Sequence, residues 1–291
     1  MTYLKNIIRA TGSLKNMVAE MNGKKIELKR ITKTAALLIM SGMSPNSIPQ
    51  PVVTRCLEEQ HDDGGWAGVA DTFWNVVFLQ QIEANRYSEA IEKGLRYLQA
   101  HKTPEGLWGR SRRDISRIPV AGALLYLLPE LATPDTLASL ERLWISEKNS
   151  LTYKAAYTLM AFRRNAYEPW TEGLIDETVR WLADNQRDDG GFAPWKSHPV
   201  DTDVFCTSIA LLGLLQYPKK VEPAVFEKGF HWLVSRQLPS GIWRFHEIED
   251  GASWGLYAMT QLLKLGVTKN APRKGEPVQK GVTYAGDMAD G

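Results

Sequence analysis

Four aspartates stand where a carboxyl group could hold and release a proton. Asp71, Asp114, Asp203 and Asp250 follow the aromatic residues Trp66, Trp108, Phe192 and Trp243 by 5, 6, 11 and 7 positions, and each opens an apolar stretch. A carboxylic acid becomes a proton donor when burial raises its pKa and nearby donors or cations stabilise the anion that it leaves. It must also sit where water and competing bases are kept out. The same positions suit a structural role, because Asp is a favoured helix N-cap, contributing about 0.5–2 kcal/mol. Asp114 is set apart by its neighbours, Arg110-Ser-Arg-Arg-Asp114-Ile-Ser-Arg117. These arginines stabilise its anion, and therefore also favour a charged resting state. Arg113 and Arg117 equally suit bidentate capture of an acidic group on a ligand. Aromatic residues are the second resource: ten Trp, ten Tyr and eight Phe. Phe73, Trp74, Tyr126, Tyr157, Trp195, Phe205, Trp254 and Tyr257 fall on or near the apolar stretches. A ring face there stabilises a cation by about 0.5–2 kcal/mol, although an aromatic on a buried helix more often belongs to the core.

The elements that must position these residues come from a repeat. Glu92 to Trp108 (EKGLRYLQAHKTPEGLW) aligns without a gap on Glu227 to Trp243 (EKGFHWLVSRQLPSGIW). Asp176 to Phe192 and Gln50 to Trp66 share the frame. The closing aromatics Trp66, Trp108, Phe192 and Trp243 are spaced by 42, 84 and 51 residues, so a degenerate unit is expected between the second and third, around Thr133 to Tyr157. Each unit holds an amphipathic segment, a Gly-containing turn and a segment apolar nearly all round, such as Ser208-Ile-Ala-Leu-Leu-Gly213. An amphipathic helix lies outside and an all-apolar one is buried. Inner helices are expected near 32–42, 71–84, 114–128, 151–163, 203–216 and 251–265, each preceded by an outer helix, the first of these poorly defined. The fold class is all-α, a single (α/α)6 barrel over 1–267, with an extended or disordered tail over 268–291; a linear solenoid is the competing arrangement.

Composition narrows the function. Thirty-five basic against 33 acidic residues give a net charge of +2, which excludes a nucleic-acid binder working by bulk charge. Two cysteines, Cys56 and Cys206, exclude a disulfide scaffold and a Cys-rich zinc site. No apolar run reaches the roughly 18–20 residues that span a bilayer. The first residues are basic and mildly amphipathic and lack the apolar core and cleavage site of a signal peptide. The expectation is a cytoplasmic monomer whose first helix has a weak tendency to rest on a membrane.

Gln-x3-Gly-Gly-Trp followed by an inner helix resembles the QW repeat of the terpene-cyclase and prenyltransferase superfamily. Its instances are Gln60…Gly64-Gly65-Trp66, Gln186…Gly190-Gly191-Phe192 and Gln237…Gly241-Ile242-Trp243. The resemblance runs from about residue 50 to 265 and is most specific from Gly190 to Trp243, which is similar to the catalytic domain of squalene–hopene cyclases. These class II cyclases protonate an alkene or epoxide and let a polyene close into fused rings. They are normally twice this length, so the resemblance is to single-domain class II cyclases. The family's Asp-x-Asp-Asp-Thr motif falls, in the ungapped frame, on Asp203-Val-Phe205-Cys206-Thr207. The first Asp and the Thr match, and Phe205 stands where the family keeps its proton donor.

The resemblance thus implies a protonation-initiated cyclase acting on an apolar polyprenyl chain, with or without an aromatic carboxylic acid head, and needing no cofactor or metal. Asp114, slightly ahead of Asp203 and then Asp71, is the expected catalytic acid. Arg113, Arg117, Trp74, Tyr157, Trp195, Phe205, Trp254 and Tyr257 are the expected substrate-binding residues. Trp66, Trp108 and Trp243 are assigned to turn packing, and Asp62-Asp63 and Asp188-Asp189 to turn acids. One alternative is a non-catalytic isoprenoid-binding barrel. Another is a zinc-dependent prenyltransferase-like subunit built on Asp203, Cys206 and His231 or His246. A third is a class II cyclase of diphosphate substrates using the cations near 110–117.

Overall fold

The computed structural model describes residues 2–111 and 113–266, which form twelve α-helices and no strand. Outer and inner helices alternate along the chain. The outer set is α1 (Thr2–Gly23), α3 (Gln50–Glu58), α5 (Ser88–Ala100), α7 (Pro134–Glu147), α9 (Leu174–Asp184) and α11 (Pro223–Arg236). The inner set is α2 (Leu28–Met40), α4 (Val69–Glu83), α6 (Ile118–Leu127), α8 (Thr152–Arg164), α10 (Val204–Leu214) and α12 (Ile248–Leu265). Each inner helix packs on the next, α2 on α4 through to α10 on α12, and α12 returns to α2. The arrangement is a closed ring rather than a solenoid. The degenerate unit inferred between Trp108 and Phe192 is the pair α7–α8.

Burial follows the hydrophobic patterning. From Cys206 to Leu214 every residue of α10 is buried, whereas outer α5 buries only Ile91, Gly94, Tyr97 and Leu98. Small residues set the spacing between inner helices: a Cβ on Gly213 would lie 2.6 Å from the Cα of Ala156 in α8, inside any allowed contact. No helix of the described residues is long and apolar enough to cross a membrane.

The repeated turns latch neighbouring outer helices together. Gln60 Nε2 donates to Gly64 O and to Ala90 O of α5, both at 2.9 Å. Gln186 does the same to Gly190 O (2.9 Å) and Val225 O of α11 (2.8 Å). Gln237 donates to Gly241 O (2.8 Å) and to Asn6 O of α1 (3.1 Å), so the last turn fastens the first helix and closes the outer ring. Gly241 adopts φ 90°, and a Cβ there would meet the Arg9 carbonyl carbon at 2.6 Å; a positive φ and a crossing backbone both require glycine. Trp66, Trp108 and Trp243 donate their indole N–H to Cys56, Leu98 and Leu233 carbonyls at 2.7–2.8 Å. Asp63 and Asp189 accept from Gly65 and Gly191 N–H at 3.0 Å, as turn acids.

Several expected inner-helix bounds shift by up to four residues: α2 begins at Leu28 rather than near 32, and α12 at Ile248 rather than near 251. Asp114 does not open an inner helix, because α6 begins at Ile118, with Arg117 in extended backbone and Pro119 in the first turn. The tail expected over 268–291 lies outside the described residues.

Candidate active site at the mouth of the inner ring

First-turn residues of neighbouring inner helices meet one another: Lys29 of α2 faces Asp71 of α4, and Arg30 of α2 faces Glu249 of α12. The N-termini of these helices present partial positive charge, and their first turns border the mouth. Asp203 is the N-cap of α10, its Oδ1 accepting the Cys206 N–H at 2.7 Å. It is half-buried, and burial raises its pKa; the backbone N–H groups of Cys206 and Phe205 and the nearby His246 oppose that rise. Asp71, in the first turn of α4, is also pushed up by burial, with Lys29 Nζ 3.8 Å away acting against it. Asp250, in the first turn of α12, lies 2.6 Å from Lys33 Nζ, and its neighbour Glu249 accepts from Arg30 Nε at 2.5 Å.

Asp114 has a different environment. It sits in the loop before α6, bridged by Arg117 Nε (2.7 Å) and Nη2 (3.0 Å) and by the Arg110 N–H (3.0 Å). These bonds, the Arg117 guanidinium first, hold its carboxyl at about 2. Arg117 is thereby engaged within the loop, and Arg113 is exposed.

Below the mouth the inner helices present aromatic rings. Trp74 of α4 and Trp254 of α12 meet edge to face with centroids 6.0 Å apart, and Tyr157 of α8 and Tyr257 of α12 lie 6.3 and 6.2 Å from Trp254. Phe73 packs on Trp74 at 4.7 Å. The Tyr257 hydroxyl is 3.2 Å from that of Tyr126 in α6. Nearer the mouth, Phe205 stacks on Phe245 at 5.8 Å and lies 6.0 Å from Tyr153. Trp195 stands apart, partly exposed in the loop before α10 with its ring against His198. Of the predicted residues, therefore, Asp203, Phe205, Trp74, Tyr157, Trp254 and Tyr257 line the inner ring, while Asp114, Arg113, Arg117 and Trp195 belong to its surrounding loops.

Among the described residues no three His, Cys, Asp or Glu side chains gather into a metal-holding group. His231 projects from outer helix α11 into solvent, and burial pushes the Cys206 thiol up, away from a thiolate. Lys29, Arg30 and Lys33 were not singled out from the sequence. Their signal was the run Leu-Lys29-Arg30-Ile-Thr-Lys33, whose i, i+4 lysines fall on one face at the start of an apolar helix.

No family model matches the chain. Over 259 residues, 79% of its length, it is 23% identical to a drimenyl diphosphate synthase from Streptomyces showdoensis. Over 253 residues, 76% of its length, it is 26% identical to a drimenyl diphosphate synthase from Streptantibioticus cattleyicolor. The chain spans about half the length of these curated relatives, 48% and 45%. A variant of the type II terpene cyclase MstE from Scytonema, solved in complex with its substrate geranylgeranyl dihydroxybenzoate, superposes with a TM-score of 0.67 at 14% identity. That match covers 90% of this chain and 99% of the other. The chain has the type II terpene cyclase fold.

Proposed function

We propose that the chain is a class II terpene or meroterpenoid cyclase, in which a protonated carboxyl starts the closure of a polyprenyl chain into fused rings. The observation that carries this is the pairing of a desolvated helix-capping carboxyl, Asp203, with an aromatic inner ring of Trp74, Tyr157, Trp254 and Tyr257. Asp203 gives its proton to the distal alkene or epoxide, and the Cys206 and Phe205 N–H groups at the helix end stabilise the carboxylate formed. The rings below face the cation as it migrates, and loss of a proton ends the cascade, so the product keeps the substrate's mass. Asp114 is a loop clamp in this scheme rather than the acid, because a carboxyl held at about 2 has no proton to give near neutrality. The cations of the first turn of α2, Lys29 and Arg30, and Arg113 in the loop before α6 suit an acidic head group. The curated relatives favour a diphosphate and the MstE complex a dihydroxybenzoate.

The substrate is membrane-soluble, and α1 is built to meet a membrane surface. It exposes Leu4 (62%) and Ile8 (61%) one turn apart, beside exposed Lys5, Arg9 and Lys15, with no acid before Glu20.

The test is a conversion assay read by mass. Purified chain is incubated with squalene, farnesyl and geranylgeranyl diphosphate, and a geranylgeranylated hydroxybenzoic acid. A product of unchanged mass, shifted retention and fewer alkene signals is expected from one of them. Binding without conversion of any would replace this reading with a non-catalytic isoprenoid carrier.

A further inference from the structure

The last turn of α12 forms one wall of a groove. Pro218, Val221, Pro223 and Phe226 make the opposite, apolar wall, Leu265 and Gly266 complete it, and the volume is about 220 Å³. Leu265 is 45% exposed there, and Glu227 stands at the edge. Val221 also borders a second groove, of about 390 Å³, between α9 and α11. That groove carries Asp176, Arg180, Asp184, Lys220 and Glu222. The two grooves meet at Val221. Lys220 is ion-paired to Asp176, whereas no ion pair among the described residues engages Asp184, Glu222 or Glu227.

The residues that follow α12 suit this surface in direction, hydropathy and charge. Gly266 adopts φ 87°, and its N–H bonds back to the Leu262 and Leu263 carbonyls. A left-handed cap of this kind stops a helix and brings the next residue back against its last turn. That residue is Val267, so an apolar side chain follows directly at the apolar groove. Lys269, Arg273 and Lys274 come after it, with no acid before Glu276. Pro272 disfavours helical backbone at Ala271, and eight extended residues reach up to about 26–29 Å. A cationic segment therefore starts within reach of three acids that no cation engages.

We propose that the segment 267–274 docks along these two grooves as a strap that ties the last inner helix to outer helices α11 and α9. Val267 packs on Val221 and Phe226, and Lys269, Arg273 and Lys274 pair with Glu227, Glu222 and Asp184. The strap starts about 24 Å along α12 from Glu249 and Asp250. Asp203 belongs with the start of α12, where Phe205 stacks on Phe245. The segment thus fastens the ring away from the candidate active site and does not cover it. Gln186 already joins the turn after α9 to α11 through the Val225 carbonyl; the strap adds α12 to that junction. It holds whether or not the chain converts a polyprene.

Hydrogen exchange of the full chain, compared with a variant carrying Lys269→Glu, Arg273→Glu and Lys274→Glu, tests it. Exchange over 221–227 and 176–184 should be faster in the variant by about fivefold or more. Exchange over 203–214 and 248–256 should stay within about twofold. Raising sodium chloride to about 0.5 M should produce the same acceleration in the unaltered chain, because these charges are solvent-reached. Asp184→Lys, Glu222→Lys and Glu227→Lys together should match the tail variant, and combining both sets should restore the slow exchange, since each pair then has its signs swapped. Equal exchange in the unaltered chain and the tail variant would overturn the strap. So would an acceleration that the combined variant fails to reverse. Faster exchange confined to the first turns of α2, α4 and α12 would overturn it as well, by placing the segment over the active site.

Discussion

At Asp203, burial and the end of a helix act in opposite directions. Desolvation favours the neutral acid, while the N–H groups of Cys206 and Phe205 favour its anion, and burial dominates. Burial thus favours the neutral acid, and the helix-end N–H groups stabilise the base that it leaves. Its folded pKa is raised, so the protonated form is favoured by folding. Its contribution to stability is present below the unfolded value of about 3.9 and is lost as pH rises through the folded pKa. Activity that needs this proton should decline over the same rise, and a profile of conversion rate against pH should show one group titrating on that limb. Asp203→Asn should lower turnover by about 100-fold or more while polyprenyl binding, measured by fluorescence, stays within a few-fold. Asp114 runs the other way. With its carboxyl held at about 2 by Arg117 and the Arg110 N–H, its clamp is present above the unfolded pKa and is lost as pH falls from about 4 toward 2. Asp114→Asn should therefore leave turnover within about threefold, and hydrogen exchange should locate its effect in the loop before α6. Sequence alone ranked Asp114 slightly above Asp203, because it showed the arginines without showing that one of them is bonded to the carboxyl itself.

Among the elements, the turns govern how each helix pair meets the next. Gln60, Gln186 and Gln237 satisfy the carbonyl of their own turn and that of the following outer helix with one amide. The third of these joins residues far apart in sequence and fixes α1. Gly241→Ala places a Cβ 2.6 Å from the Arg9 backbone at φ 90°; we expect a loss of about 2–4 kcal/mol in urea denaturation, most of it seen as faster exchange along α1. Gln237→Ala, which removes these two hydrogen bonds and the one its Oε1 accepts from Asn6 Nδ2 without adding strain, should cost about 1–3 kcal/mol. These turns were readable as a repeat because glycine and tryptophan are demanded locally. The start of α6 was not, because the loop before it is fixed by the Asp114–Arg117 contact and by Pro119 rather than by apolar periodicity.

For the whole molecule, closure of the ring decides what the inner helices enclose. α1 packs on both α2 and α12, covering the seam where the first and last inner helices meet. Its inward face buries Ala10, Leu14 and Val18, and its outward face carries Leu4 and Ile8. Leu4→Ser with Ile8→Ser should reduce co-sedimentation with anionic phospholipid vesicles by about fivefold or more without lowering the melting temperature, since both side chains are exposed. The sequence by itself determined the helical class, the alternation of outer and inner helices, the hidden unit at α7–α8 and the structural role of the turn tryptophans. All of these follow from local periodicity and from residues, such as glycine at positive φ, that few others can replace. It also placed Trp74, Tyr157, Phe205, Trp254 and Tyr257 on inner helices. Only the tertiary structure decided that Asp203 and Asp71 are desolvated, that Asp114 is clamped by arginine, and that Lys33 of the first inner helix meets Asp250 and Trp254 of the last. Those properties depend on distances across a closed ring, and a charge's pKa or partner is set by what lies within a few ångströms rather than by its neighbours along the chain.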